Sequence, residues 1–157
     1  KVPILASGNG AKKFEELITP YNMQIKVVGE KAGAASAIKL IRSIFMKGIS
    51  TLMIEMLQAA DAYGVTEEVV ASISKSMDGI PFTSHLDRLV VGSAIHCKRR
   101  AGELKGSIEM LKEANLDSFM TESSMKKLES LEKYEFAKRF IDRKPEGWKE
   151  IIEIIRN

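Results

Sequence analysis

The sequence is poor in the residues that mark secreted, membrane and nucleic-acid-binding proteins. Its 157 residues include a single cysteine, Cys97, which excludes a framework of internal disulfides and predicts a reducing, cytoplasmic setting. The formal net charge of +3 is too small to predict binding to nucleic acid. Lys39, Arg42 and Lys47 interrupt the only long apolar stretch, so no membrane-spanning segment is expected.

Histidine is nearly as rare, with two in the chain, and neither one predicts a metal site. His85 has no second metal-binding side chain at helical spacing, so it is expected at a surface or an interface. The basic triplet Lys98-Arg99-Arg100 lacks interleaved aromatic residues and is a weak signal for nucleic acid. The sequence therefore predicts neither metal nor nucleic acid as a partner.

Patterns typical of β-strands are confined to the first thirty residues. Residues 2–7 and 23–28 are predicted strands, and an amphipathic helix over residues 11–18 lies between them. Two parallel strands with one crossover helix cannot form a doubly wound sheet, because such a sheet needs several strands covered on both faces. This βαβ segment is therefore expected to be the remnant of a larger domain.

Within that segment, Gly8-Asn9-Gly10 and Glu30 imitate a dinucleotide-binding fingerprint. Such a fingerprint requires a strand, a Gly-x-Gly turn, a helix and an acidic residue about 20 positions later. Lys13 occupies the position of the third glycine, where close packing of the helix against the strand requires Gly or Ala. We therefore assign no cofactor binding to this turn.

A long helix is predicted from Ala34 to Ala62, with apolar residues on every side of the 3.6-residue repeat. Such a helix is expected to be buried. Lys39 stands near its beginning, and its side chain either extends to solvent or lies in a polar pocket where the amine could exchange a proton. The spacing alone leaves both interpretations open.

The remainder of the sequence predicts helices. One begins at Thr66, with the threonine hydroxyl as its cap, and others cover residues 82–91 and 118–143. A last helix is predicted to begin at Pro145, with Trp148, Ile151, Ile152 and Ile155 on one side. Between Ser93 and Asn115 lies a strongly amphipathic helix. Its apolar seam consists of Cys97, Ala101, Leu104, Ile108 and Leu111.

On the opposite face of that helix stand His96, Arg99, Arg100 and Glu103, at i, i+3, i+4 and i+7. Two guanidinium groups beside a histidine suit a carboxylate or a phosphate, and Glu103 could orient one arginine. Alternatively the face is solvated, and each arginine–glutamate pair contributes only about 0.2–0.5 kcal/mol to the helix. Spacing does not decide between these two interpretations.

The run Gly33-Ala34-Ala35-Ser36-Ala37-Ile38-Lys39, followed by Ser43, resembles the β-hydroxyacid dehydrogenase superfamily, which includes 3-hydroxyisobutyrate and 6-phosphogluconate dehydrogenases. The superfamily pattern is Gly-x-Gly-x-x-x-Lys-x-x-x-Asn. Lys39 matches it, whereas Ala35 replaces the second glycine and Ser43 the asparagine. The segment from Met77 to Leu104 is most similar to the NAD-binding, phosphogluconate dehydrogenase-like branch. That branch reads His-x-x-Arg-Arg-x-x-Glu-Met from the position of His96, and here Leu104 replaces the methionine. The resemblance covers residues 2–116.

This resemblance implies a mainly α chain. Residues 31–157 would form an all-helical domain like the C-terminal domain of 6-phosphogluconate dehydrogenase, and residues 1–30 would be the βαβ end of a Rossmann domain. The resemblance also implies a homodimer formed through the helical domain. The cofactor, NAD or NADP, would be bound mainly by an absent N-terminal domain, so the chain alone is expected to be inactive.

The same resemblance implies oxidation of a small, anionic 3-hydroxy acid, with Lys39 as general acid and base. Ser36 and Ser43 would hold the substrate, and Gly33 and Ala34 would lie against the cofactor. Further substrate contacts would come from the second cluster, namely His96, Arg99, Arg100 and Glu103.

Three points remain open at this stage. Met46 stands where the 6-phosphogluconate branch has a second acid, which favours oxidation without decarboxylation. Gly102 stands where neighbouring branches have a lysine near the cofactor, and either Arg99 or Arg100 could replace that lysine. The alternative function is a non-catalytic helical domain for dimerisation or interaction.

Overall fold

The computed structural model describes residues 3–157, so Val2, in the first predicted strand, lies outside the described residues. The chain divides into two compact units, Lys1–Ser50 and Thr51–Asn157. The two units are defined by the contacts that residues make within each of them, so they are not the two predicted domains. The domain boundary between residues 30 and 31 rests on the resemblance and stays a prediction.

The first unit contains the expected βαβ segment. Strand β1 (Ile4–Ala6), helix α1 (Ala11–Ile18) and strand β2 (Ile25–Val27) follow one another, and the long helix α2 (Ala34–Ala62) begins in this unit. The two strands are parallel, with Ile4 opposite Ile25. Pro20, which cannot continue a helix, lies in the single 3₁₀ turn that follows α1. Both strands are shorter than predicted, and the helix bounds agree.

The second unit is helical throughout its described residues, which confirms the mainly α fold class. After α2 come α3 (Thr66–Met77), α4 (Phe82–Leu86), a π-helical turn (Asp87–Val91), α5 (Gly92–Ile95), α6 (Cys97–Glu113), α7 (Phe119–Glu129), α8 (Phe136–Arg139) and α9 (Trp148–Arg156). The predicted seam of α6 is confirmed. Cys97, Ala101, Ile108 and Leu111 are buried there, and Leu104 is half-buried.

The core of the second unit lies where α5, α6, α8 and α9 meet. Phe136 and Ile151 are each only 1% exposed, and the Phe136 ring stacks on Phe140 with 6.4 Å between centroids. Ile154 and Ile155 pack against the same cluster, whereas Ile152 is exposed. The predicted apolar side of α9 is therefore wrong at Ile152.

Several predicted helix boundaries also differ from the structure. The predicted helix over residues 118–143 is divided into α7 and α8 by a 3₁₀ turn (Glu132–Tyr134), and the last helix begins at Trp148 and not at Pro145. Gly92-Ser93 does not break the chain, because Gly92 has ordinary α-helical angles and the helical path runs from Phe82 to Ile95 through the π-helical turn. Thr66 does not cap α3; Val65 precedes the helix and Thr66 is its first residue. By contrast, Gly64 ends the turn after α2 as predicted, with a φ of +67° that suits glycine.

The expectation that α2 is buried is wrong for the single chain. Of its 29 residues, Glu55 and Ala60 are the buried ones. Its exposed apolar side chains are Ile38, Leu40, Ile41, Ile44, Phe45, Met46, Leu52, Met53, Ile54 and Leu57. A helix of this length is about 43 Å long, and a chain of this size has too few other elements to cover all of its sides. No helix among the described residues is long and apolar enough to cross a membrane.

Candidate functional site

The beginning of α2 carries the predicted catalytic group. Gly33 precedes the helix with a φ of +88°, and the Ser7 hydroxyl at the end of β1 accepts the Ala35 N–H at 3.0 Å. The Ala37 N–H donates to the Gly33 carbonyl at 2.8 Å. Ser7 therefore caps α2 from the neighbouring strand, and the positive end of the helix dipole lies close to the segment that bears Lys39.

Lys39 is exposed, and so is Ser36, while Ser43 is half-buried. Ser36 and Ser43 stand three residues before and four residues after Lys39, so helical geometry places all three side chains on one side of α2. The side chain of Lys39 reaches solvent, as the first of the two sequence interpretations describes. An amine and two hydroxyl groups on one accessible helix side can bind and exchange protons with a small polar molecule.

Gly33 and Ala34 are the residues that are predicted to contact the cofactor. The Ala34 N–H donates to the Lys31 carbonyl at 3.3 Å and the Ala35 N–H to Ser7, so neither amide is available for a phosphate. Gly33 is exposed, and no atom lies within 4 Å of the position that a Cβ would occupy. The two amides are thus occupied within the chain and Gly33 borders open space, so a contact of Gly33 or Ala34 with a cofactor stays a prediction.

The second predicted cluster is divided by the structure. Arg99 forms a salt bridge with Glu103 one turn along α6, and both side chains are largely exposed. Arg100 is half-buried and donates from Nη1 to the Ser93 hydroxyl at 2.9 Å. These groups line a surface depression of about 500 Å³ together with Leu104, Ser107 and Leu128.

His96 lies apart from that depression. It precedes α6 with a φ of −107° and a ψ of 23°, so the helical spacing that would bring it onto the face of Arg100 and Glu103 does not hold there. Its side chain lines a second depression, formed with residues of α8 and the turn before it, which Arg99 also borders. Three of the four predicted residues are therefore brought together, and Arg99 is the one that adjoins His96.

Comparison with known proteins finds one family match, which lies within the second unit. Residues 60–131 match the family model of DUF1932, a domain of unknown function. His96, Arg99, Arg100 and Glu103 lie inside the DUF1932 match, whereas Lys39 precedes it.

Relatives of the chain are themselves little characterised. It is 31% identical over 104 residues to an uncharacterized 28.5 kDa protein in the 7S RNA 5′ region of Methanothermus fervidus. The matched region covers 66% of this chain and 41% of that protein. A conserved hypothetical protein from Sinorhizobium meliloti 1021 is 28% identical, covering 99% of this chain and 51% of the other, with a TM-score of 0.47.

The conserved protein MTH1747, described as structurally similar to 3-hydroxyacid dehydrogenases, is 33% identical over 85% of this chain and 50% of its own, with a TM-score of 0.47. The chain thus spans about half the length of the proteins that it matches.

One buried carboxylate joins α2 to the DUF1932 domain and was not singled out from the sequence. Glu55 is 8% exposed and accepts the Met120 N–H at 2.8 Å, the Thr121 N–H at 2.8 Å and the Thr121 hydroxyl at 2.6 Å. Burial raises the pKa of Glu55, but the hydrogen bonds from Thr121 and Met120 outweigh it and leave the pKa below its ordinary value. Glu55 is an ionised cap at the beginning of α7. Its signal in the sequence is a lone acid in an apolar stretch.

Around Glu55 lies an apolar cleft of about 480 Å³ between α2, α3, α6 and α7. Its walls include Leu52, Met56, Tyr63, Val69 and Met110. The Tyr63 hydroxyl donates to the Met110 carbonyl at 3.0 Å, and the Glu55 carboxylate is already hydrogen-bonded to α7. The cleft therefore offers apolar surface and few polar groups for orienting a ligand.

His85, within the DUF1932 domain, is buried, so its expected place at a surface or an interface is wrong. Nε2 lies 2.9 Å from the Met77 carbonyl, and the Arg88 guanidinium lies 3.1 Å from Nδ1. Since a carbonyl only accepts and a guanidinium only donates, Nε2 is the donor to Met77 and Nδ1 the acceptor from Arg88. Among residues 3–157, no group of three or more His, Cys, Asp or Glu could hold a metal ion.

Proposed function

We propose that this chain is the C-terminal part of an NAD(P)-dependent oxidoreductase that oxidises a small 3-hydroxy acid in the reducing cytoplasm. The observation that carries the proposal is the accessible amine of Lys39, with Ser36 and Ser43 on the same side of α2, in a chain whose residues 60–131 match DUF1932. Nucleotide binding belongs mainly to a preceding domain of the whole protein.

In this proposal Lys39 is the general acid and base. Its amine accepts the proton of the substrate C3 hydroxyl, while hydride leaves C3 and a 3-oxo acid forms. NAD or NADP, when bound, supplies the hydride acceptor. Ser36 and Ser43 hold the substrate hydroxyl or carboxylate by hydrogen bonds, and the helix dipole of α2 favours its negative charge. Met46, which cannot transfer a proton, supplies no second acid, so decarboxylation is not part of the proposed reaction.

The test uses the longer protein that contains the nucleotide-binding half. Reduction of NAD and of NADP is followed by absorbance with 3-hydroxypropionate, 3-hydroxybutyrate and 3-hydroxyisobutyrate. Lys39→Met should lower turnover by about 10²–10⁴-fold, the usual contribution of a positioned proton-transfer group. Lys31→Met, which removes another exposed lysine near the beginning of α2, should keep the turnover of the unaltered protein. Equal turnover in both variants would contradict the role of Lys39.

A second proposal is that α2 also joins two copies of the chain. Ten exposed large apolar side chains on one helix exceed what a soluble monomer usually presents to water. A two-fold dimer would cover this surface, since each copy presents the same helix to the other. Sedimentation velocity on the chain tests this proposal, with a homodimer as the expected species and a monomer at all concentrations as the contradicting one.

A further inference from the structure

The first turn of α6 has an unusual accumulation of positive charge. Lys98, Arg99 and Arg100 occupy it, and no acidic residue lies in that turn. Helices usually have Asp or Glu at this end, because the helix dipole is positive there and favours negative charge. The positive side chains in the first turn of α6 are therefore repelled by the positive end of the helix dipole. An anion bound beside them would offset this repulsion.

The two arginines of this turn are held in different ways. The guanidinium of Arg100 donates to Ser93 and lies so close to Gly92 that Nη2 is 3.0 Å from the position a Cβ would occupy. A larger residue at 92 would displace it, so this fork has a fixed position. Arg99 has a side chain that is 62% exposed, and Glu103 is the carboxylate that binds it.

Both guanidinium groups border the same depression, where the hydroxyls of Ser93 and Ser107 also lie. Ser93 accepts from Arg100, so its own hydroxyl proton remains available to a ligand. Two forks and two hydroxyls within about 500 Å³ match the oxygens of a carboxylate or a phosphate.

We propose that this depression is an anion site in which Arg100 is the fixed fork, Arg99 the movable fork, and Glu103 an internal carboxylate that occupies Arg99 until a ligand replaces it. The inference rests on the proposed function, which requires a site for the anionic part of a substrate or cofactor. It assigns Glu103 a role opposed to substrate binding, because its negative charge competes with the ligand for Arg99.

The competition by Glu103 is weak enough to be reversed. Exposed ion pairs between residues i and i+4 of a helix stabilise it only weakly, because water screens them. A ligand that contacts both guanidinium groups gains hydrogen bonds from two arginines, whereas Glu103 satisfies one arginine. Removal of the Glu103 charge should therefore strengthen anion binding, and removal of either arginine should weaken it.

Isothermal titration calorimetry of the 157-residue chain with inorganic phosphate, and separately with 3-hydroxypropionate, tests the site. Arg99→Gln should weaken binding about tenfold or more, and Glu103→Gln should strengthen it about twofold or more. Matched controls on the same helix are Lys105→Gln and Glu109→Gln, which change the net charge equally at exposed positions outside the depression. Arg100→Lys keeps the charge, loses the fork, and should weaken binding even where Arg100→Gln does not fold.

Preference for phosphate would identify the phosphate of a cofactor as the ligand, and preference for 3-hydroxypropionate would identify the substrate carboxylate. Both results support the anion site. The site is refuted if neither probe binds, or if Arg99→Gln and Lys105→Gln have the same effect. Lys39→Met should leave phosphate affinity unchanged, so loss of the proposed reaction and loss of the anion site are separate observations.

Discussion

Helices α2 and α6 have opposite relations between their sequence and their burial. Helix α2 is apolar on every side, yet Ile44 at its middle is 73% exposed. Helix α6 carries charge along most of its length, yet Leu111 on its seam is 3% exposed because α7 packs against it. Burial is thus decided by which elements are available to cover a face, and the exposed apolar side chains of α2 form the surface that we propose a second copy covers.

The largest expected effect is a difference in the free energy of unfolding between substitutions in α6 and in α2. Leu111→Ala should lower the free energy of unfolding by about 2–5 kcal/mol, because it leaves a cavity in packed surroundings. Ile44→Ala should change it by no more than about 0.5 kcal/mol, since that side chain lies in water. Urea unfolding at low protein concentration measures both, and similar losses would contradict the difference in burial.

Association is the next expected difference. Ile44→Glu should weaken the proposed dimer at least about tenfold, because a charge would be buried without a partner at the shared surface. Ile141→Glu is the matched control, since Ile141 is 78% exposed and lies far along the sequence from α2. Sedimentation equilibrium of the two variants would count against the α2 interface if both dissociated equally.

Glu55 contributes a smaller and pH-dependent effect. Glu55→Gln should cost about 1–3 kcal/mol at neutral pH, because the Thr121 and Met120 donors lose a charged acceptor. Since the folded pKa lies below the ordinary 4.5, the contribution is complete above pH 4.5 and is lost as pH falls through the folded pKa. Unfolding of the two proteins across this pH range should converge in acid. A difference that is constant with pH would exclude an ionised cap.

The smallest expected effect concerns the attachment of α9. Asp87 Oδ1 accepts the Trp148 N–H at 3.0 Å, which caps α9 from the π-helical turn. Asp87→Ala should cost about 1 kcal/mol, as the loss of a helix cap usually does. Asp142→Ala, at an exposed position before the same helix, provides the control in thermal unfolding. If both variants had the same midpoint, the cap would have no role.

Local sequence patterns were sufficient for most of the fold. The helices Ala11–Ile18 and Ala34–Ala62 are predicted with the bounds that the structure has. Pro20 and Gly64 interrupt the helical pattern and so mark where each helix ends. Errors of two kinds arose, one in the backbone conformation of a glycine and one in the burial of a side chain. Gly92 adopts α-helical angles, so the expected break after residue 91 does not occur, and a side chain of α9 such as Ile152 is exposed although its spacing suits the core.

The candidate sites were predicted only in part, for a physical reason. Helical spacing places Ser36, Lys39 and Ser43 on one side of α2, because the relative positions of side chains on a single helix follow from its geometry alone. The different constraints on Arg99 and Arg100 depend on Ser93 and Gly92, which belong to another helix. Burial of Glu55 and His85 likewise depends on contacts with α7 and α3, which no periodicity within one segment records.

Chemical rescue of Lys39→Ala is the most direct test of the proposed function. In the longer protein, added methylamine or ethylamine should restore oxidation of the 3-hydroxy acid in proportion to the concentration of the neutral amine, because the small base replaces the missing side chain. The Lys31→Ala control should be as active as the unaltered protein and should not respond to amine. Undiminished turnover of Lys39→Ala without amine would contradict the assignment of Lys39 as the acid and base.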